Sequence, residues 1–468
     1  MSWLPYRVIE IRRKDKRDNN FKLRIFQQIT ARQAEIIELI KKEVKPALGC
    51  TEPIAVALAT AKAMEIAEEK CGLASDWRYS DGYSLKIEVS GNILKNGMGV
   101  GIPGTGMVGL HIAAALGAVC GKSEYGLEVL HDLSDGSIAK AKELVEDKDV
   151  VVGLAETSHK LYVKANVLVG GCHCSSVVIQ DNHDSIVETS FDGSVLFSSE
   201  ASSSAECADQ KTTLDYKLSV REILEFASTV SYDDISFILE SRTLNLALAE
   251  EGMKGCYGLK VGYAINLAAN REVFGEDFLS YAMSLTAAAS DARMAGCTLA
   301  AMSNSGSGNQ GITVTMPVIA YSIRYGTSDE QLARALVLSH LIAIHIKGYL
   351  GKLSALCGCV IASTGSSCGL VYLRGGDYEQ VCAAIKNMIG NITGMVCDGA
   401  KVGCAMKVAS GVSSALQSAV LAREGICISS HDGIIEEDIE KTIQNLGRIG
   451  SIGMQNTDNM ILDIMVCK

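Results

Sequence analysis

The residues most able to do chemistry are four cysteines in the C-terminal part of the chain. Cys357 and Cys359 lie two apart in LCGC, and Cys397 and Cys404 lie seven apart in VCDGAKVGC. On a helix Cys357 and Cys359 would point in different directions, so only one of them could address a shared centre. A straight helix would separate Cys397 and Cys404 by about 10 Å along its axis, but the intervening glycines allow a bend. Three convergent thiolates would suit a zinc or iron–sulfur centre with one open position.

Spacing alone leaves a second interpretation of these cysteines open, because cysteine also serves as a small buried hydrophobe. Zinc sites usually contain cysteine pairs with two to four residues between them, and the chain has no such pair. Scattered core cysteines therefore stay as the alternative to a metal centre.

Cys50 lies in LGCTEP, between a helix breaker and an apolar helical pattern. The run ARQAEIIELIKKEVK has apolar positions at helical spacing and is broken by Pro46 and Gly49, and a second helix is predicted to begin near Cys50. Pro53 would fall in the first turn of that helix, where its missing N–H costs nothing. On these local grounds Cys50 is a small buried hydrophobe at a helix start.

Two glycine-rich loops, 96–109 and 304–311, formally match the dinucleotide pattern G-x-G-x-x-G. The first contains a proline and has no convincing acidic partner at the end of a second strand about twenty residues on, and 45 glycines make chance matches expected. We therefore predict no dinucleotide site and favour a structural role for 96–109. For 304–311, a tight turn and an anion site for a small carboxylate, formed by backbone N–H groups at a helix start, stay equally open.

Composition and charge are typical of a folded protein with no role in nucleic-acid binding. The chain is 48% hydrophobic and 21% charged, and a net charge of −11 gives no electrostatic support for nucleic acid. The uncharged stretch 353–373 holds three cysteines and several hydroxyl residues, which favours a buried core segment over a membrane span. The first thirty residues lack an apolar signal segment, so we expect a cytoplasmic protein with reduced thiols.

The order of patterns predicts a mainly α fold in which an α/β (α+β) insertion interrupts a helical domain. Residues 1–30 are basic and polar and are predicted to be a disordered extension. In residues 84–204, β-rich runs such as SLKIEVSG and LYVKANVLVG alternate with helical stretches, and a polar linker follows. Residues 31–83 and 205–468 form the helical domain.

Three motifs, KPALGCTEP, LSALCGC and CDGAKVGCAMK, together resemble the L-cysteine desulfidase family, which is related to the alpha chain of iron–sulfur L-serine dehydratases. The similarity runs from about residue 30 to the C-terminus, and the motifs occur in the order found in that family. The combination is specific, although each motif alone is not.

The resemblance implies an oxygen-sensitive [4Fe–4S] cluster held by three cysteines, with the fourth iron open to substrate. Carried onto this chain, the ligands would be Cys357, Cys397 and Cys404, with Cys359 as the alternative to Cys357. The cysteine of the N-terminal motif is a catalytic proton acceptor in the family, a role that falls here on Cys50. Such a base needs a lowered pKa, to which a helix N-terminus would contribute. The helical domain would then be the iron–sulfur catalytic domain.

The implied reaction is a carbon–sulfur lyase step that needs no PLP and converts L-cysteine to pyruvate, ammonia and hydrogen sulfide. The substrate carboxylate would lie on the glycine-rich backbone from Gly306 to Gln310. One alternative is a dehydratase for L-serine or another β-substituted amino acid, with the same ligands; another is a non-catalytic metal-binding or redox-sensing protein. The expected partner is a small amino-acid substrate, with no nucleic acid and no membrane, and a homo-oligomer stays open.

Overall fold

A computed structural model describes residues 31–79, 82–199, 213–351 and 354–467. The predicted disordered extension and most of the predicted linker lie outside the described residues. The fold is mainly helical and contains a six-stranded mixed sheet. The expectation of a mainly α chain with a β-containing part is thus confirmed, whereas its division into a catalytic domain and an insertion stays a prediction.

The helices of the described residues are short in the first half of the chain and longer in the second, apart from one long early helix. They are α1 (31–43), α2 (Thr51–Cys71), α3 (Gly91–Gly97), α4 (Leu110–Cys120), α5 (Asp135–Glu146), α6 (Val220–Thr229), α7 (Tyr232–Ile235), α8 (Glu240–Gly252), α9 (Val261–Asn266), α10 (Phe278–Met294), α11 (Gly308–Tyr325), α12 (Asp329–Leu350), α13 (Gly358–Leu373), α14 (Tyr378–Ile392), α15 (Cys404–Arg423), α16 (Ile439–Arg448) and α17 (Gln455–Val466).

The strands form one large sheet and one small one. They are β1 (Pro46–Ala47), β2 (Tyr83–Val89), β3 (Val150–Leu154), β4 (Tyr162–Val169), β5 (His173–Gln180), β6 (Ile186–Phe191), β7 (Ser194–Ser198) and β8 (Ala301–Met302). The large sheet has the order β3-β2-β4-β5-β6-β7, with β2 and β3 parallel and the other neighbours antiparallel. Every second residue of β4 is buried, as expected of a strand with one face on a core.

Helices α2 and α4 pack together on the buried face of this sheet. Both are rich in alanine, which lets their backbones approach closely. A Cβ atom added to Gly117 of α4 would overlap the backbone carbonyl of Ala57 in α2. The glycine is therefore needed for the contact that holds α2, and with it the Cys50 motif, against the sheet.

The helical part has its own core, in which α13 packs against α11, α12, α14 and α15. The uncharged stretch noted in the sequence contains α13, and most residues of that helix are buried. Among the described residues, no helix is both long and apolar enough to cross a membrane.

We expect Gly117→Ala to destabilise the protein by about 1–3 kcal/mol, the usual cost of forcing an extra carbon into a packed contact. Helix propensity alone would predict the opposite sign, because alanine is better than glycine in a helix by about 1 kcal/mol. Urea unfolding followed by circular dichroism measures the change. Gly153→Ala is the matched control, since a Cβ atom at Gly153 meets nothing within 4 Å. A Gly117→Ala variant at least as stable as the parent would show that the close contact is not required.

Candidate active site

The small sheet brings the Cys50 motif beside the second glycine-rich loop. Strand β1, just before Cys50, pairs antiparallel with β8, just before residues 304–311. The hydroxyl of Thr51 donates a hydrogen bond to the carbonyl oxygen of Gly306 at 3.3 Å, across 255 residues of sequence. Two of the motifs singled out in the sequence are therefore neighbours in space.

Cys50 caps the N-terminus of α2, where the sequence predicts a helix start. Its side chain is buried, with 5% of the residue exposed. It clusters with Val100 and Met294, and Cys404 packs against this group. Cys50 is thus both a buried residue and a neighbour of one predicted cluster ligand.

The guanidinium of Arg293, at the end of α10, is the main hydrogen-bonding group near Cys50. Its Nη2 donates to the carbonyl of Gly49 at 2.7 Å, and its Nη1 donates to Asn309 Oδ1 at 3.3 Å. The charge of the side chain favours the thiolate of Cys50, while its Nε has no hydrogen-bond partner among the described residues. Gly308 leaves the space that the guanidinium occupies, because a Cβ atom at this position would overlap it.

Sequence reasoning missed Arg293. The available signal was weak: an arginine in the last turn of a helix made mostly of alanine, serine and apolar residues. Arg293 is 5% exposed, and a buried arginine is rare unless it is paired. Only the fold reveals the sequence-distant groups that pair with it.

The charge state of Cys50 differs from the expectation. Burial raises the pKa of its thiol to about 11, while the nearby Arg293 acts in the opposite direction. The prediction of a lowered pKa at this helix N-terminus is therefore wrong, because desolvation outweighs the favourable charges. Arg293 is the cation that most opposes this effect.

Cys357 and Cys397 lie side by side. The segments that carry them pair, with the Cys357 N–H donating to the Met395 carbonyl at 3.0 Å and the Cys397 N–H donating to the Ala355 carbonyl at 2.6 Å. The interaction between the two thiols lowers the pKa of Cys397 to about 6 and raises that of Cys357. Lys95 and Lys407 contribute to the lowered pKa of Cys397.

Cys404 begins α15 and lies between this pair and Cys50. It interacts electrostatically with Cys397, and it packs against the Cys50 group. The chain bends between Cys397 and Cys404, with Gly399 at a φ of 91°, so the bend that the glycines allow is present. The loop brings both thiols to the same region.

Cys359 points elsewhere. Its thiol donates to the carbonyl of Lys407 at 3.2 Å, under helix α15. A Cβ atom at Gly411 would collide with this sulfur, and burial raises the pKa of Cys359 to about 12. Cys359 is within electrostatic range of Cys404, but it is Cys357 that contacts Cys397.

Lysine side chains surround the loop that carries Cys397 and Cys404. Lys407 donates to the carbonyl of Val396 at 2.8 Å, and both Lys401 and Lys407 form ion pairs with Asp398. Thiolates in a buried place are costly unless cations compensate their charge. These lysines supply such compensation.

The first glycine-rich loop, residues 96–109, packs against the segments that carry Met294 and Lys401. Gly99 bridges to Lys401, and the Gly101 N–H donates to the carbonyl of Met294 at 3.0 Å. At Gly101 a Cβ atom would collide with the backbone at Gly296. The glycines thus allow three segments to meet, which agrees with the structural interpretation of 96–109.

The second glycine-rich loop is a tight turn that starts α11. Gly306 has a φ of 77°, and the hydroxyl of Ser307 accepts a hydrogen bond from the Gln310 N–H at 3.3 Å. The Gln310 side chain donates to Asn304 Oδ1 at 2.7 Å, and the Asn304 amide donates to Nδ1 of buried His340 at 2.9 Å. The turn is observed, and an anion on its backbone stays a prediction.

Within the described residues, no group of three His, Cys, Asp or Glu side chains is arranged to hold a metal ion. A four-iron cluster binds each thiolate through a different iron, so its ligands lie farther apart than the ligands of a single ion. Thiol donors from Cys357, Cys397 and Cys404 in one lysine-rich region fit the chemistry of such a cluster.

Comparison with known proteins gives consistent matches. The family described as serine dehydratase alpha chain matches residues 124–463, a range that includes Cys357, Cys397 and Cys404 but not Cys50. A UPF0597 protein of Bacteroides fragilis is 48% identical over 435 residues, which cover 93% of this chain and 98% of that protein. A UPF0597 protein of Oleidesulfovibrio alaskensis is 49% identical over 432 residues, which cover 92% and 97%. The chain belongs to the serine dehydratase alpha chain family.

Proposed function

We propose that this protein is an iron–sulfur lyase that removes the β-substituent from a small L-amino acid, with L-cysteine as the substrate. The products are hydrogen sulfide, pyruvate and ammonia. The observation that best supports this proposal is the position of Cys50, which follows Gly49, the acceptor of a hydrogen bond from Arg293, and belongs to a cluster against which Cys404 packs. Membership of the serine dehydratase alpha chain family supports a lyase and suggests an iron–sulfur cluster.

Cys357, Cys397 and Cys404 would hold the cluster, which we propose is of the [4Fe–4S] type. When bound, it supplies a Lewis-acidic iron that stabilises the departing sulfur. The residues around it balance charge, because Lys95 and Lys407 lie near the thiolate of Cys397. The backbone pairing of residues 355–357 with residues 395–397 brings Cys357 next to the segment that carries Cys397, and this supports Cys357 over Cys359 as the first ligand.

Cys50 takes the proton from Cα of the substrate. The electron pair of the Cα–H bond becomes the Cα=Cβ double bond, the Cβ–S bond breaks, and the sulfur leaves with its electron pair. The resulting aminoacrylate takes up water and gives pyruvate and ammonia. A thiol can accept the proton only as the thiolate, and the charge of Arg293 favours that form against the desolvation that raises the pKa of Cys50.

The start of α11 would bind the substrate carboxylate. This helix has 18 residues, and its N-terminal N–H groups and dipole favour an anion. Asn309, in its first turn, is already oriented by Arg293, and Gly306 is tied to Thr51 beside Cys50. Carboxylate and base would therefore be held by one connected set of contacts.

The wall around Cys50 favours a sulfur-containing substrate. The nearest side chains are Val100 and Met294, with Ala400 and Val402 packed against them. Such apolar groups suit a thiol, a weak hydrogen-bonding group, better than a hydroxyl, which loses hydrogen bonds on burial. L-serine is the second candidate, because the matching family is named for serine dehydratase.

The main test is anaerobic reconstitution of the cluster followed by parallel assays of sulfide from L-cysteine and pyruvate from L-serine. We expect faster turnover with L-cysteine. We expect Cys50→Ala to keep the visible absorbance of the cluster and to lose activity by a factor of about 10²–10⁴, the usual contribution of a general base. Cys120→Ala, on α4, is the control. A loaded protein inactive on both amino acids would favour the non-catalytic alternative, and a fully active Cys50→Ala variant would show that Cys50 is not the base.

The ligand assignment predicts how the visible absorbance responds to single cysteine changes. We expect Cys357→Ala, Cys397→Ala and Cys404→Ala to lose the absorbance after reconstitution, because each would remove one of three ligands. Cys359→Ala should keep it, as should Cys368→Ala, which removes a fully buried thiol of the same helix. Iron and sulfide analysis measures the amount of cluster bound to each variant. Full retention in the Cys397→Ala and Cys404→Ala variants would show that the cluster lies elsewhere.

Arg293 gives a third prediction. Arg293→Met should lower kcat much more than it changes KM, with intact cluster absorbance, because the cation beside the base is lost. Arg293→Lys should recover part of kcat, since it restores the charge without the fork of donors. Circular dichroism checks folding, and Arg324→Met, on the exposed end of α11, is the control. Equal kcat in the Arg293→Met variant and the parent would remove Arg293 from the mechanism.

A further inference from the structure

One cavity lies outside the candidate active site, and the proposed reaction does not use it. It has a volume of about 380 Å³. Its walls are the start of α3, the loop from residue 154 to 160, and the segment from the π-helical turn Ile449–Gly453 into α17. It therefore lies between the sheet-bearing part of the chain and the C-terminal helices.

The wall of this cavity contains an ion pair between Lys95 and Asp458. The side chain of Lys95 is 2% exposed and that of Asp458 is 18% exposed, so water screens these two charges little. The wall also contains Lys160 and His159, and its other polar groups are mostly uncharged hydroxyls and amides; they include Ser90, Asn92, Thr157, Ser158, Gln455 and Asn459.

We propose that this cavity binds a free α-amino acid, with its carboxylate on Lys95 and its ammonium on Asp458. A zwitterion placed between the two side chains keeps all four charges paired. A purely anionic ligand on Lys95 would draw Lys95 away from Asp458 and bring Asp458 no new cation, and a purely cationic ligand on Asp458 would do the reverse to Lys95. Breaking a buried pair on one side is strongly unfavourable, so the pair selects a ligand that carries both charges.

The size of the cavity agrees with this class of ligand. Its volume falls at the lower end of the range for small-molecule sites, which accommodates an amino acid with its side chain. The uncharged hydroxyl and amide groups can hydrogen-bond a polar side chain or bridging water. Leu154 and Leu462 give the cavity an apolar side as well.

The cavity is close to the cysteine loop but separate from it. Lys95 interacts electrostatically with Cys397, and its backbone carbonyl lies against Gly399. Ala355, also in the cavity wall, accepts the hydrogen bond from the Cys397 N–H. An amino acid bound here would lie against Lys95 and Ala355. These two residues in turn contact the loop that carries Cys397 and Cys404. Binding to the cavity itself does not depend on the proposed function.

Calorimetric titration of the full-length Cys50→Ala chain with the twenty common amino acids tests the site without turnover. For the amino acid that binds best, we expect its amide and its 2-hydroxy acid analogue to bind about tenfold or more weakly, because each lacks one charged group. Asn459→Trp should fill the cavity and weaken binding by a similar factor. Met460→Trp, at the next and 62% exposed position of α17, should bind as the parent does. Asp458→Asn should also weaken binding.

Three results would overturn the inference. They are the absence of binding by any of the twenty amino acids, unchanged binding in a folded Asn459→Trp variant, and equal affinity for the 2-hydroxy acid analogue. If binding follows the cavity variants while the reconstituted parent is inactive on L-cysteine and L-serine, only the proposed function fails. If the parent is active but the cavity variants bind normally, only this inference fails.

Discussion

The arrangement around Cys50 depends on one buried cation. Arg293 reaches the carbonyl of Gly49, the side chain of Asn309 and the thiol of Cys50. A buried guanidinium must satisfy its donors or incur a large desolvation cost. The segments that contain Gly49 and Asn309 are therefore held where they can meet it. This requirement connects the start of α2, the end of α10 and the start of α11, which are far apart in sequence.

Glycines leave space for these close contacts. Their spacing resembles that of a nucleotide-binding loop in sequence only. At Gly101 and Gly308 a side chain would strike backbone or the guanidinium of Arg293. At Gly306 and Gly399 the backbone takes positive φ values, which glycine adopts without strain. The G-x-G-x-x-G patterns thus arise because several backbones approach one another around a compact group of cysteines and cations.

Local sequence signals predicted the helix start at Cys50 and the burial of the uncharged stretch that contains α13. Both depend on neighbouring residues: Pro53 fits the first turn of α2, and the apolar and small residues of α13 suit a core helix. The partner of Cys397 was not predictable in this way, because Cys357 and Cys359 have similar local surroundings. Their difference comes from tertiary pairing of residues 355–357 with 395–397. Arg293 was missed for the same reason, since its contact with Gly49 spans 244 residues.

The same constraint explains why the pKa expected for Cys50 was wrong in sign. A sequence shows that a cysteine lies at a helix N-terminus, where the dipole favours a thiolate, but it does not show how completely the fold removes water. Here Cys50 is buried among Val100 and Met294, and desolvation dominates. Cys397 is partly buried in the same region, yet its pKa is lowered by its interaction with Cys357 and by the lysines that lie nearby. The two thiols therefore differ in their partners: a neighbouring thiol and lysines favour the thiolate of Cys397, whereas Cys50 has chiefly Arg293 to oppose its desolvation.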